Sequence, residues 1–267
     1  MKPLVHFASV LAFAAAAPAF ADDAATGPVV SSQSAGGPAL VFSLRGGVAG
    51  APAYFGSEKM EAAPDLGFNF HFLRFGDREF GNPDPWQDSL GFGVHGSFRY
   101  IGERDSSDHS KLRGLDDVDA ALELGLGVGY ATENLYAFAD VRRGFGGHEG
   151  TVAEVGFDAV IRPNDRLRLA FGPRFFWGND EYADTYFGIT PAESSASLPT
   201  YDPDGGLLSA GVEFSARYKI NDLWGIEGAV NYNQLNDDAE DSPIVRNGDR
   251  DQWAVRIGFT RVFSIGG

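Results

Sequence analysis

The chain has 267 residues, with 37 acids against 21 Lys and Arg, a formal net charge of −16, and no cysteine. The missing thiols exclude a disulfide scaffold and any thiolate metal site. The acidic balance excludes a nucleic-acid partner held by charge, and 35 Gly and 22 Phe against two Met suit a curved sheet better than a helical bundle.

Residues 1–21 read as a cleaved signal peptide: Lys2, an apolar stretch over 4–17, and the small-x-small site Ala19-Phe20-Ala21 before Asp22. That stretch falls short of the roughly 20 residues a spanning helix needs, and no later segment reaches the length without charges. Residues 22–39 are small and polar and predict a flexible periplasmic leader. Residues 40–267 read as one domain.

Within that domain, segment after segment alternates apolar and polar side chains. Residues 40–50 form a glycine-rich strand. Leu66, Phe68, Phe70 and Phe72 oppose Asn69 and His71, and Phe92, Val94, Phe98 and Tyr100 oppose His95 and Arg99. The clearest case is 118–130, where Val118, Leu122, Leu124, Leu126, Val128 and Tyr130 share one face and Asp119, Glu123 and three glycines the other. Residues 134–145 are apolar on both faces near their middle. Glu154, Asp158 and Arg162 mark the charged face of the next strand. Leu167, Leu169, Phe171, Phe175 and Trp177 oppose Arg166, Arg168 and Arg174. Leu208, Val212, Phe214 and Tyr218 oppose Glu213, Arg217 and Lys219. Trp224, Ile226, Val230 and Tyr232, and then Trp253, Val255, Ile257, Phe259 and Phe263, complete the series. Side chains of a strand point alternately to its two faces, so each segment has one oily face; at helical spacing the charges would fall inside the apolar stripe.

A soluble sandwich also alternates. Two features favour a barrel in a membrane. The apolar faces end in aromatics (Tyr100, Tyr130, Trp177, Tyr218, Trp224, Tyr232, Trp253), where interfacial girdles lie. The connections 131–133, 163–165 and 220–222 are tight, whereas 102–117, 178–205 and 236–250 are long, as for periplasmic turns and outer loops. Residues 76–88 and 146–150 are the exceptions. The predicted fold is all-β: an antiparallel transmembrane β-barrel of about ten strands, or twelve if 77–82 and another short piece pair. Its outside would contact outer-membrane lipid and lipopolysaccharide, and its inward charges would fill a narrow lumen with ion pairs.

Four segments carry a family likeness: Pro52-Ala-Tyr-Phe-Gly-Ser57 after the first strand, Gly146-Gly-His-Glu-Gly150 at an outer turn, Tyr182-Ala-Asp-Thr-Tyr-Phe-Gly-Ile189 in the longest loop, and Asp241-Ser-Pro-Ile-Val245 before the last strand. In this order, from about Leu40 to the C-terminus, the chain resembles the MipA/OmpV family of outer-membrane proteins. The resemblance implies the cell outer membrane of a Gram-negative envelope. It also implies a non-enzymatic scaffold that links a murein lytic transglycosylase to a murein synthase in peptidoglycan remodelling. Other members are discussed as porin-like, which makes a narrow channel for small solutes the alternative, and an outer-membrane hydrolase the third. The family brings no catalytic residues and no cofactor. A barrel of this kind meets the barrel-assembly machinery through a terminal aromatic; here Phe263 is followed by Ser264-Ile-Gly-Gly267, and Arg261 sits on the face that should be apolar.

The residues that could carry function are few. His148 is the best candidate base for a hydrolase, but the glycines around it predict a tight turn capped by the imidazole. His71 and His95 face the lumen and could meet, which is too few ligands for a metal. The acidic loops 103–119 and 236–251 offer oxygens for Ca²⁺ but lack an EF-hand spacing. Tyr182, Tyr186 and Phe187 read as a lid folded into the mouth, a partner contact, or aromatics pinning a loop to the rim. Arg166, Arg168 and Arg174 could attract anions, although pairing with Glu154 and Asp158 on the preceding strand is the stronger expectation. In the inner connection 76–88, Phe80 and Trp86 are the expected apolar anchors for a protein partner.

Overall fold

The computed structural model describes residues 37–266. The signal segment, and all of the leader but its last three residues, lie outside the described residues. Eleven antiparallel strands form one sheet: β1 (Leu40–Pro52), β2 (Met60–Phe75), β3 (Arg78–Gly81), β4 (Gly91–Ile101), β5 (Ala121–Ala131), β6 (Leu135–Gly146), β7 (Thr151–Asn164), β8 (Leu167–Gly178), β9 (Gly206–Lys219), β10 (Trp224–Leu235) and β11 (Asp251–Ile265). Three short α-helices, α1 (Asp180–Phe187), α2 (Asp237–Asp241) and α3 (Pro243–Arg246), and one 3-10 turn at Ser110–Leu112 interrupt the loops among the described residues.

The ladder runs β3-β2-β1-β11-β10-β9-β8-β7-β6-β5-β4, so the first and last long strands pair and every other neighbour is a hairpin partner. Ten of the strands are long; the eleventh is the four-residue β3, paired with Phe72–Phe75 of β2. The predicted count of ten thus holds for the long strands. The condition for twelve is met only in part, because 77–82 pairs and no second short piece joins the sheet among the described residues. The ladder ends on β3 and β4, and the part of β2 that the short β3 leaves uncovered faces β4 across an apolar groove of about 330 Å³ lined by Phe68, Phe70, Phe98 and Leu124.

The alternation predicted from the sequence sets the two faces. Leu66, Leu126, Ile161, Phe171, Val255 and Phe259 are exposed on the outside, while Arg45, Asp65, Glu123, Arg142, Asp158 and Thr260 are buried within. Such an exterior is tolerable only against hydrocarbon. Aromatics ring both ends: Tyr100, Trp177, Tyr232 and Trp253 near the long loops, and Tyr130, Tyr218 and Trp224 near the tight turns. Below, the end with the long loops is the outer end, and the end with the tight turns, Leu40 and Ile265 is the inner end. Arg261 is accommodated at the inner girdle, its guanidinium 4.8 Å from the Trp224 ring and 5.4 Å from the Phe263 ring, so its charge is screened by aromatic faces.

Two expectations shift locally. Val118 is not in β5; it pairs with Arg104 in an isolated bridge and is buried in the outer cap. Leu208 is buried instead of facing lipid, because a register shift between Phe176 and Trp177 lets one residue of β9 turn over.

Candidate functional site

The lumen is filled in three tiers. The outer tier is a cap made by the long loops. Asn179 caps α1 by accepting from the Tyr182 N–H, and Asp180 and Glu181 occupy the first turn, where the helix dipole favours acids. The helix buries Tyr182, Ala183, Tyr186 and Phe187 on one face and leaves Asp180 and Glu181 in solvent. Phe55 from the β1–β2 loop packs edge-on against Tyr186 at 5.1 Å between ring centroids. His148 from the β6–β7 turn lies 5.0 Å from Tyr182 and 5.5 Å from Tyr186. Ser242, ahead of α3, donates to the Phe187 carbonyl at 2.7 Å. The four segments that carried the family likeness therefore meet in one place. Tyr182, Tyr186 and Phe187 are buried together in the core of this cap. Burial pushes both phenols well above the usual tyrosine range, with the Arg99 guanidinium pulling Tyr182 the other way, so both stay neutral hydrogen-bonding groups.

The middle tier is a layer of buried ion pairs. Glu123 on β5 is fully buried and receives Arg99 from β4 at 2.6 Å and Arg142 from β6 at 3.0 Å. Arg142, itself fully buried, also reaches Glu154 at 2.8 Å and the Ser97 hydroxyl at 3.1 Å. Across the lumen, Arg174 makes a two-point contact with Asp158 at 2.9 and 3.0 Å and reaches Glu213 at 3.2 Å. Arg45 does the same with Asp65. Arg99 ties this layer to the cap, donating to the Tyr182 hydroxyl at 3.0 Å. Buried charges persist only when paired in this way.

The histidines belong to these tiers. His148 Nδ1 accepts from the Gly150 N–H at 3.2 Å, the capped turn predicted, and Nε2 lies 3.3 Å from Glu123. A ring nitrogen that accepts carries no proton, so the Gly150 contact uses Nδ1 as an acceptor. His71 and His95 do not meet. His71 bonds the Ser43 hydroxyl and His95 bonds Asp140, each at 2.9 Å, because β2 and β4 are not hydrogen-bonded neighbours in the ladder. Among the described residues no group of three or more His, Asp or Glu is arranged to hold a metal ion.

The inner tier is built on Asp88, in the β3–β4 connection. Its carboxylate receives Arg168 at 2.8 Å and Arg217 at 3.3 Å, and a third guanidinium, Arg162, also bonds it. Trp86, two residues earlier, is turned into the barrel. It packs on Val41, Phe72 and Val262, and its Nε1 donates to the Asp222 carbonyl at 3.0 Å. Trp86 is thus committed to the barrel's own inner end, while Phe80 on β3 is exposed. The arginine row divides. Arg174 pairs with Asp158 as expected. Glu154 serves Arg142 instead, Arg168 turns to Asp88, and Arg166 sits exposed in the β7–β8 turn. The sequence reading missed Asp140, Arg142 and Asp88. The first two lie at every second position of a strand whose flanking residues are apolar on both faces, and only the count from Phe138 through Asp140 to Arg142 marks them as inward.

Known proteins are similar to this chain. The family model described as MltA-interacting protein MipA covers residues 44–263. The MltA-interacting proteins of Escherichia coli K12 and Shigella flexneri are each 28% identical over 160 residues, 59% of this chain. The chain spans 63% of the length of these curated relatives. Among solved structures, the outer membrane protein OprG of Pseudomonas aeruginosa is 13% identical with a TM-score of 0.31, over 85% of this chain and 98% of that one. A Pseudomonas aeruginosa FadL homologue is 9% identical with a TM-score of 0.37, over 86% and 93%. With its apolar girdled exterior the sheet is an outer-membrane β-barrel fold, and the chain belongs to the family of MltA-interacting proteins, MipA.

Proposed function

We propose that this chain is a non-enzymatic scaffold of the outer membrane whose inner end holds a murein lytic transglycosylase, and through it a murein synthase. The observation that carries the reading is the filled lumen. The aromatic cap and the layer of Glu123, Arg142, Arg174 and Asp158 occupy the lumen from its outer mouth to its middle, and the inner end keeps an open, charged cavity. The relatives' name, MltA-interacting protein, supports the partner class. His148 has no hydroxyl nucleophile bonded to it among the described residues, which favours a binding role over a hydrolytic one. With Trp86 used internally, exposed Phe80 on β3 is the anchor left for a partner. The test is capture of purified transglycosylase by the detergent-solubilised barrel, comparing the native chain with Phe80→Glu. Retention by the native chain and loss in the variant is the expected result. No retention by the native chain overturns the scaffold, and equal retention by both overturns the contact.

A narrow channel is the second reading. It is favoured by two small cavities of about 110 Å³ each, one towards either end of the barrel, that share Glu213 as a wall. Discrete conductance steps in a planar bilayer would favour it over the scaffold.

A further inference from the structure

The chain is strongly acidic, yet bases collect at its inner mouth. A cavity of about 530 Å³ opens there between Arg162, Arg166, Arg168, Arg217 and Lys219. The acids on the same wall are Asp88, Glu133 and Asp165. Five positive charges thus face three negative ones in a molecule whose formal net charge is −16. Lys219 is engaged with Asp222 at 2.8 Å, outside the cavity wall.

The centre of this wall already displays what it recognises. Arg162, Arg168 and Arg217 come from β7, β8 and β9, and they converge on the single carboxylate of Asp88. Their side chains are 34%, 22% and 23% exposed, so the cradle remains open to solvent. Guanidinium groups pair with carboxylates through two parallel N–H donors, a geometry no point charge reproduces. Asp88 itself is not part of the barrel wall. It is delivered by the connection between β3 and β4, which Trp86 pins to Asp222 two residues away. One tethered carboxylate therefore occupies a cradle with more positive charge than it can neutralise.

We propose that the inner mouth is a binding site for a carboxylate-bearing peptide, and that Asp88 is an internal stand-in which the ligand displaces. This rests on the orientation used in the proposed function, with the inner end towards the periplasm, where the acidic stem peptides of murein present such carboxylates. It does not depend on the transglycosylase. A guest peptide brings several carboxylates to three guanidiniums that share the one carboxylate of Asp88, while Arg162 and Arg217 also donate to the Glu133 and Trp86 carbonyls, and the rim bases Arg166 and Lys219 extend the positive wall outward.

The experiment is calorimetric titration of the purified full chain in detergent with a synthetic stem tripeptide carrying free carboxylates. The fully amidated peptide and inorganic phosphate are titrated in parallel. The native chain binds the free acid and neither of the others. Arg162→Gln lowers the affinity about five-fold, the size expected for one partly exposed charge-assisted pair. Asp88→Asn raises it by a similar factor, because the internal competitor is gone. The opposite signs separate displacement from a purely structural clasp, in which both changes weaken binding. Should Asp88→Asn fail to fold, as judged by loss of heat-modifiable migration on a gel, hydrogen exchange of residues 82–90 in the native chain decides: bound peptide accelerates it if Asp88 is displaced, and unchanged or slower exchange overturns the displacement. Equal binding of acid and amide, equal binding of phosphate, or no effect of Arg162→Gln overturns the proposal. Capture of the transglycosylase is read independently, so either idea can fail without the other.

Discussion

The Arg99 guanidinium on β4 donates to the Tyr182 hydroxyl on α1 at 3.0 Å, joining the barrel wall to the helix that closes its outer mouth. The same nitrogen donates to Glu123 at 2.6 Å, so the charge layer and the cap are one network. Tyr182→Phe keeps the ring packed against Phe176 and His148 and removes only the hydroxyl. A hydrogen bond to a charged group contributes about 1.5–3 kcal/mol. Urea unfolding of the variant in detergent should show a loss in that range with the cap still formed. An unchanged midpoint would mean that aromatic packing alone holds the cap.

Glu123 has the larger share. Arg99, Arg142 and His148 all lie within 3.3 Å of it, and its side chain is fully buried. Glu123→Gln leaves two guanidiniums facing a neutral amide in a water-poor layer. Breaking a buried pair on one side costs about 3–5 kcal/mol. The gel temperature at which the folded band converts to the unfolded one should fall sharply. Replacing exposed Glu149, which lies 3.9 Å from exposed Arg143, should leave it where it is, because surface pairs contribute little.

Much of this was legible in the sequence and some was not, for physical reasons. Period-two alternation fixes which way each side chain points, so Leu122, Leu124 and Leu126 outward and Glu123 inward follow from the order of residues alone. The short-long rhythm of connections gave the two ends. Partner choice is another matter. Arg174 found Asp158 across one ladder, but Arg168 reached a carboxylate 80 residues away in a loop. Alternation says nothing about a loop that folds back inside. Likewise His71 and His95 are both inward, yet whether they meet depends on which strands are neighbours in the ladder. The cap was visible as four separate motifs, and only the fold shows that Phe55, His148, Tyr182 and Ser242 are neighbours.

The glycine before the β6–β7 turn is a steric requirement of the His148 position. A Cβ at Gly144 would stand 2.2 Å from the His148 ring. Gly144→Ala must therefore displace the imidazole, breaking its bond to the Gly150 N–H and withdrawing it from Glu123. Overpacking of this kind costs about 1–3 kcal/mol. The imidazole resonances of His148 should shift in the alanine variant, and the urea midpoint should fall. Gly96 is the control, since a Cβ there meets nothing within 4 Å and Gly96→Ala should be silent in both measurements.

The inner clasp should open in acid. Burial alone would raise the pKa of Asp88, but the Arg168 and Arg217 guanidiniums outweigh it and hold the carboxyl below its usual range. A group whose folded pKa is depressed stabilises the fold at pH above its unfolded value, about 3.9, and that contribution is lost as the pH falls through the folded value. At neutral pH the 82–90 connection is therefore fully clasped, and only as the pH falls through that depressed value, on the acid side of the ordinary carboxylate range, do the three arginines lose their counter-charge and repel one another. Hydrogen exchange of the backbone amides of 82–90, corrected for the intrinsic pH dependence, should accelerate over that window. In Asp88→Asn the same amides should exchange quickly at every pH, with the pH-dependent step abolished. A step that persisted in the variant would assign the acid sensitivity to another group and leave Asp88 without this role.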